Sequence, residues 1–167
     1  MLGRIVLSGV LAAACGAGAL AQQAQVSFGT LKHDKTQPIE VTSEQLNVDQ
    51  AAGTALISGD VLAIQGDLRL SADRVLVHYV EDENQPGRIE RIDADGDVVL
   101  VLNDQAAEGD HGVYTLADGT VVMTGKVLLT QGQNTTSGEH LVVHLDTGTG
   151  TLTGGRVRTV LQPADSR

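Results

Sequence analysis

The chain has 167 residues, which suits one domain with a substantial core and is too short for two full domains joined by a linker. Its formal net charge of -10 disfavours a nucleic-acid surface, because the acidic side chains would repel a phosphate backbone. Aromatic residues make up only 2%, so stacking on bases or sugars is poorly supported, whereas the 20 glycines favour many short strands joined by turns.

Residues 1–21 are predicted to be a cleaved secretory signal peptide. They contain Arg4, then an apolar stretch, and they end in Ala19-Leu20-Ala21, which suits cleavage before Gln22. Cys15 is the single cysteine of the sequence and falls in this segment, so we expect no disulfide in the exported domain. The alternative is a lipoprotein signal in which Cys15 is lipidated and retained.

The exported part is predicted to consist of a flexible segment over residues 22–36, one β domain over residues 37–162 and a flexible tail over residues 163–167. Pro38 suits the start of a strand or an edge strand, because it cannot donate a hydrogen bond to a ladder. The alternation that follows directs Ile39 and Val41 to the inner face.

A pattern of 25 residues occurs twice, at residues 54–78 and again 66 positions later at residues 120–144, with nine identities. A weaker copy surrounds Gly96. Gly59 and Gly125 occupy equivalent inward positions, where a missing side chain indicates a bend or close packing.

Polar and apolar side chains alternate with a period of two in each copy, which is typical of a strand with one solvated and one buried face. Strands at this spacing predict an all-β sandwich, roll or solenoid. Residues 98–102 are all apolar, so their inward parity is ambiguous and a bulge remains an open alternative. The predicted inward set is Ile39, Val41, Ile57, Val61, Ala63, Leu68, Leu70, Val75, Val77, Tyr114, Leu116, Met123, Val127, Leu129, Val143 and Leu145.

No catalytic or cofactor motif stands out, and the sequence favours a protein that is not an enzyme. It contains no G-x-S-x-G, P-loop or G-x-G-x-x-G sequence. His140 and His144 would lie about 13 Å apart on a strand, too far to share one zinc ion at about 2 Å from each. Asp/Gly pairs are ordinary turn formers, and nothing singles out two carboxylates for glycosidase chemistry. We therefore predict no cofactor and no metal.

An ordered set of short segments carries a family resemblance over about residues 36–163. It includes Ile57-Ser58-Gly59-Asp60-Val61, Ser71-Ala72-Asp73, Thr124-Gly125-Lys126-Val127 and a tail that begins at Arg156. This set resembles the LptA/OstA family of periplasmic lipopolysaccharide-transport proteins.

The resemblance implies an open antiparallel β-jelly roll in the periplasm, with an apolar groove that binds the acyl chains of lipopolysaccharide. It also implies transfer from an LptC-like inner-membrane protein to an LptD-like outer-membrane protein, through copies that stack head to tail. The candidate groove residues are Ile39, Val41, Ile57, Val61, Ala63, Val75, Val77, Tyr114, Leu116, Met123, Val127, Leu129 and Val143. The candidate edge strands for assembly comprise Ile39, Glu40, Val41 and Thr42 at one end and Val157, Arg158, Thr159, Val160 and Leu161 at the other.

Three alternatives stay open. The same inward side chains would fill the dry core of a structural or adaptor β-protein. A carbohydrate-handling jelly roll would require exposed aromatic residues or clustered acids, which the pattern does not indicate. An LptC-like or LptD N-terminal-like module is the third; such proteins usually add a membrane anchor or a large barrel, and we expect neither here.

Overall fold

The computed structural model describes residues 23–27, 36–80 and 87–162, and these ranges hold eleven β-strands and no helix. Consequently, no helix in this part of the chain could cross a membrane. The predicted signal peptide and the predicted tail at 163–167 lie outside the described residues. The strands are β1 Ala24–Ser27, β2 Glu40–Thr42, β3 Gln45–Asp49, β4 Thr54–Gln65, β5 Leu68–Tyr79, β6 Ile89–Leu102, β7 Gln105–Thr115, β8 Thr120–Gln131, β9 Asn134–His144, β10 Thr149–Thr153 and β11 Arg158–Val160.

All eleven strands belong to one antiparallel sheet, so the all-β prediction is confirmed. Strands β4 to β10 follow one another as a meander, with β1 outside β10, β2 and β3 both paired with β4, and β11 paired with β9. Two-residue turns join several of these strands, and Gly66 and Gly132 each adopt a φ of 58° there. Turns of this kind need a positive φ, which glycine adopts without a steric penalty.

Each of the long strands β4 to β9 takes part in a change of register near its middle, which divides the sheet into two leaves. β3 pairs with residues 54–58 of β4, whereas β2 pairs with residues 62–64. At the other end, β10 pairs with residues 140–144 of β9, whereas β11 pairs with residues 135–137. We call the leaf bounded by β3 and by β10 with β1 the first leaf, and the leaf bounded by β2 and β11 the second leaf.

The change of register is a β-bulge, which bends the strand that carries it. In β4, β6 and β8 a glycine lies at the bulge, with φ values of 82° at Gly59, 81° at Gly96 and 102° at Gly125. The bend expected at Gly59 and Gly125 is therefore confirmed. The bulge next to residues 98–102 immediately precedes them, between Asp95 and Val98.

The inner side chains of the two leaves meet in one hydrophobic cluster. Met123, Leu141 and Leu152 have no solvent exposure at all. Of the predicted inward set, Ile39, Leu70 and Leu116 are partly buried and pack against this cluster. The members that are fully buried are Ile57, Val61, Ala63, Leu68, Val75, Val77, Tyr114, Met123, Val127, Leu129, Val143 and Leu145.

Val41 departs from this pattern because it is 42% exposed. Its register opposite Ala63 places it on the inner face, but β2 is an edge strand and none of the described residues form a strand on its other side. The prediction of an inward side chain is correct for direction, whereas the burial that it implied is wrong.

The expectation of a flexible segment over residues 22–36 requires a correction at β1. Residues Ala24–Ser27 form a strand that pairs with β10, and Val26 is buried in the core. Its partner lies more than a hundred residues away in the sequence, so local alternation does not identify the pairing. The pairing is therefore a product of tertiary structure.

Candidate functional site

A narrow apolar cavity of about 30 Å³ lies between the two leaves. It is bounded by inner side chains of the second leaf, by the bend of β6 at Val98, and by side chains of the first leaf, so it requires the folded sheet. The lining residues are Ile39, Ala63, Ile64, Gln65, Leu68, Leu70, Ile92, Val98, Leu100, Gly112, Val113, Tyr114, Val121 and Met123.

The lining of this cavity contains no charged side chain. Gln65 is 4% exposed, and its side-chain amide donates a hydrogen bond to the backbone oxygen of Gln37 at 2.9 Å. Burial, with a smaller contribution from the Asp146 carboxylate, raises the pKa of Tyr114 to about 12. The phenol is therefore neutral at physiological pH, and the interior offers an environment for aliphatic groups and no ionised acid or base.

A second, smaller cavity of about 20 Å³ extends the apolar interior toward β9 and the turn that follows it. Leu100 lines both cavities, so the two are adjacent along the interior. The lining residues are Leu100, Leu102, Gln105, Ala106, Ala107, Val143 and Leu145.

Neither cavity is wide enough for a fatty acyl chain. A volume of about 30 Å³ has room for roughly two water molecules, far less than an acyl chain occupies. An acyl chain can enter only if the leaves separate or the inner side chains move aside. The interior resembles a closed apolar core that could open, and a preformed channel is not present among the described residues.

The predicted groove residues fall into several groups. Ile39, Ala63, Tyr114 and Met123 line the first cavity, and Val143 lines the second. Leu116 is partly buried, and Val41 is exposed at the edge. The remaining six are buried in the core without lining either cavity, namely Ile57, Val61, Val75, Val77, Val127 and Leu129.

Sequence reasoning misses the contribution of β6 to the cavities. Ile92, Val98 and Leu100 line the first cavity, yet none is among the predicted groove residues. All three are even-numbered, as are the buried Ala94 and Leu102. Extending this parity through the run 98–102 would have identified the inner positions.

The predicted edge strands are edges of the second leaf, β2 at one end and β11 at the other. Val160 is 41% exposed, and Leu161 just beyond β11 is 71% exposed. The sequence does not predict the corresponding edge of the first leaf, β3. There Leu46 and Val48 are 62% and 60% exposed although their register, opposite Ile57 and Ala55, places them on the inner face.

Three histidines of the sheet make cross-strand side-chain contacts on the outer surface. The His78 imidazole lies 2.8 Å from Asp93, and the His111 imidazole lies 2.6 Å from Asp95. His144 contacts the Thr120 hydroxyl at 3.2 Å. Within the described ranges, no group of three His, Cys, Asp or Glu side chains could hold a metal ion.

The combination of a two-leaf sheet and an apolar interior agrees with comparison to known families. Residues 40–149 match the family described as LptA/(LptD N-terminal domain) LPS transport protein. The chain belongs to this family. The LptA/OstA resemblance carried by the sequence segments is thereby confirmed.

Two curated relatives are similar to the chain over part of its length. It is 31% identical over 104 residues to the lipopolysaccharide export system protein LptA of Escherichia coli K12, which corresponds to 59% of this chain and 55% of that protein. It is also 32% identical over 128 residues to an uncharacterised protein of Rhizobium meliloti, covering 73% of this chain and 68% of that protein. The chain thus spans just over half the length of the LptA relative.

A solved structure supports the jelly-roll architecture of this LptA/LptD N-terminal domain family member. LptH of Pseudomonas aeruginosa, described as the LptA-homologous periplasmic component of the lipopolysaccharide transport device, superposes with a TM-score of 0.70. The match covers 78% of this chain and 99% of LptH at 22% sequence identity. At that identity the similarity establishes the fold.

Proposed function

We propose that this chain is a periplasmic carrier that shields the acyl chains of lipopolysaccharide between its two leaves. One observation carries the proposal: the cavity between the leaves is lined without a single charged side chain. Each methylene group removed from water contributes about 0.8 kcal/mol, so such an interior favours a fatty chain over any polar cargo.

Entry of an acyl chain requires the leaves to move apart, since the cavity holds only about 30 Å³. The end of the sheet that carries β2 and β3 supports this route. At that end Leu46 and Val48 extend the inner face into solvent, and Ile39 lines the cavity next to the exposed edge strand β2. A lipid that enters there would meet aliphatic side chains from the edge to the interior.

The carrier would receive lipopolysaccharide from an LptC-like inner-membrane protein and pass it to an LptD-like outer-membrane protein. The two ends of the sheet support such contacts, because β2 and β3 at one end and β11 at the other expose backbone groups to which another strand can pair. The same edges would allow copies to stack head to tail. Membership of the LptA/LptD N-terminal domain family supports this pathway.

Site-specific photo-crosslinking in a lipopolysaccharide-producing cell tests the carrier function. A photoreactive residue in place of Leu100, which lines both cavities, is expected to form adducts with lipopolysaccharide. The matched control is Leu62, an outward leucine that is 38% exposed. Equal adduct yields at the two positions would contradict a specific interior site.

The adaptor alternative predicts a different result. If the interior remains a dry core that only supports the sheet, Leu100 should give no lipid adduct, while surface positions would crosslink to proteins. The small volume of the cavity favours this alternative, because an interior of this size is close to a filled core.

A further inference from the structure

The strand β1 occupies the outer edge of the first leaf at its C-terminal end. It pairs with β10 through Ala24 opposite Leu152, Gln25 opposite Thr151 and Val26 opposite Gly150. Beyond β1 the described residues place no further strand on this edge. The first leaf therefore ends in a short strand from the other terminus of the chain.

The strand pairings of the first leaf can be followed from β3 at one edge to β1 at the other. Residues that lie directly opposite one another on successive strands form a row across the sheet, and inner residues of β3 share their rows with residues of β1. Val48 lies opposite Ala55, and the same row runs strand by strand to Val143, Gly150 and Val26. Leu46 lies opposite Ile57, and its row runs in the same way to Leu152 and Ala24. The two inner residues of β3, Leu46 and Val48, therefore occupy the same rows as Ala24 and Val26 of β1.

The direction of the two strands also agrees. Every pairing from β3 through β10 to β1 is antiparallel, and the number of strands between them makes β1 and β3 run the same way. A β3 strand placed beside β10 would therefore continue the sheet as an ordinary antiparallel neighbour. Val48 would take the position of Val26, and Leu46 that of Ala24.

We propose that β1 is an internal cap that occupies the β10 edge until β3 of a second copy replaces it. This inference builds on the head-to-tail stacking proposed above and adds a competition between an internal and an external strand. The exchange buries Leu46 and Val48, which are 62% and 60% exposed, in place of the smaller Ala24 and the single valine Val26.

The second leaf supports a second copy as the occupant. Followed strand by strand, the registers place Glu40 of β2 and Val160 of β11 in the same row of the second leaf. If β2 of a following copy paired with β11 in that register, its Glu40 would lie directly opposite Val160 and diagonal to Arg158. Arg156 and Arg158 mark the C-terminal end, and Glu40 and Glu44 mark the N-terminal end, so the two ends are complementary in charge. Both leaves would continue together into the next copy.

The cap also explains how stacking could depend on protein concentration. β1 belongs to the same chain as β10, so its effective concentration at that edge is fixed, whereas the supply of an external β3 rises with the concentration of copies. Dilute protein would remain capped, and concentrated protein would exchange strands.

A reversible covalent lock tests the cap. Gln25 and Thr151 lie directly opposite each other, and cross-strand pairs of this kind come within the distance range of disulfides. In the full chain carrying Cys15→Ser, the pair Gln25→Cys and Thr151→Cys is expected to keep the oxidised protein monomeric in sedimentation velocity experiments. If the oxidised form assembles at all, the reduced form should begin to assemble at a protein concentration roughly tenfold lower.

Two further variants complete the experiment. Val26→Asp weakens the cap without altering β3 or β10, and it should assemble at a roughly tenfold lower concentration than the unaltered chain. A control disulfide, Glu108→Cys with Leu128→Cys, joins β7 to β8 on the outer surface and should leave assembly unchanged on oxidation.

Identical masses for the oxidised and reduced Gln25/Thr151 pair at every concentration, including a monomer throughout, would overturn the cap. The Leu100 crosslink is read separately in the oxidised protein. Lipid adducts without a redox effect on assembly would support the carrier function and reject the cap. A redox effect on assembly without lipid adducts would support the cap and reject the carrier function.

Discussion

The side chain of Asp110 lies directly over the α-carbon of Gly125 on the neighbouring strand. A Cβ atom added at Gly125 would come within 2.6 Å of the Asp110 Cβ atom, closer than real side chains allow. The same relationship recurs along the sheet, where an acidic side chain covers a glycine of the adjacent segment. The pairs are Glu44 with Gly59, Asp73 with Gly96, Asp110 with Gly125, and Glu139 with Gly154. At Gly59, Gly96 and Gly125 the close approach coincides with a bulge, whereas Gly154 follows the end of β10.

Substitution of Gly125 by alanine should destabilise the fold. Its φ of 102° is strained for an L-residue, and the new methyl group would collide with Asp110. We expect a loss of about 2–4 kcal/mol in the free energy of unfolding, measured by urea denaturation.

The matched control is Gly132→Ala, since Gly132 has a φ of 58° and nothing within 4 Å of the added atom. This change should cost only about 1 kcal/mol, from the left-handed conformation alone. If the two variants were equally stable, the contact between Asp110 and Gly125 would have no energetic importance.

A charge placed in the interior should block lipid binding. Leu70 is partly buried and lines the first cavity, so Leu70→Arg would place a guanidinium against any acyl chain there. The yield of lipopolysaccharide adducts at a photoreactive residue 100 should fall roughly tenfold or more. Leu62→Arg, on the outer face of the same leaf, should leave the yield unchanged, and circular dichroism would verify that both variants fold. A Leu70→Arg protein that is folded and crosslinks normally would argue against the interior site.

The titration of Tyr114 should make stability fall in strongly alkaline solution. The pKa of this phenol is about 12 in the folded chain and 10.0 for an unperturbed tyrosine. Below pH 10 the phenol is neutral in both states, and between pH 10 and pH 12 it ionises first in the unfolded chain, which lowers the free energy of unfolding.

Tyr114→Phe removes this dependence. The free-energy difference between the two proteins, measured by urea denaturation over that pH interval, should shift steadily in favour of the variant as the pH rises. Parallel stability curves for the two proteins would show that Tyr114 titrates normally.

Head-to-tail stacking should depend on charge at the two edges of the second leaf. In a stacked pair, Glu40 of one copy would lie diagonal to Arg158 of the preceding copy. Arg158→Glu is expected to weaken self-association by roughly twofold to fivefold, as is Glu40→Arg. The double variant should restore association, and added salt should reduce the differences, as read by sedimentation at several ionic strengths. Two weakened single variants with no recovery in the double variant would exclude this register.

The alternation of side chains already identifies most of the inner face. Twelve of the sixteen predicted inward residues are fully buried, and three more pack against the core. This success is physical, because a period of two is a local property of an extended chain and each strand here has one wet and one apolar face. The glycines at 59 and 125 likewise indicate the bends from their inward position alone.

The remaining features depend on contacts between distant parts of the chain. Val41 has the right parity, yet its exposure reflects the absence of a strand beside β2 in the described sheet. In the strand β1, Val26 is buried, and the strand gains its structure from pairing with β10. The acidic residues over the glycines have no local signature, since an aspartate in a strand is usually a solvated side chain.

Periodicity along the chain is therefore sufficient to indicate strands, their inner faces and their bends, because those properties arise within a few consecutive residues. The width of the space between the leaves, the strand that closes each edge and the rows that align β3 with β1 arise only when distant strands meet. They depend on register and packing volume, which are set by many side chains at once.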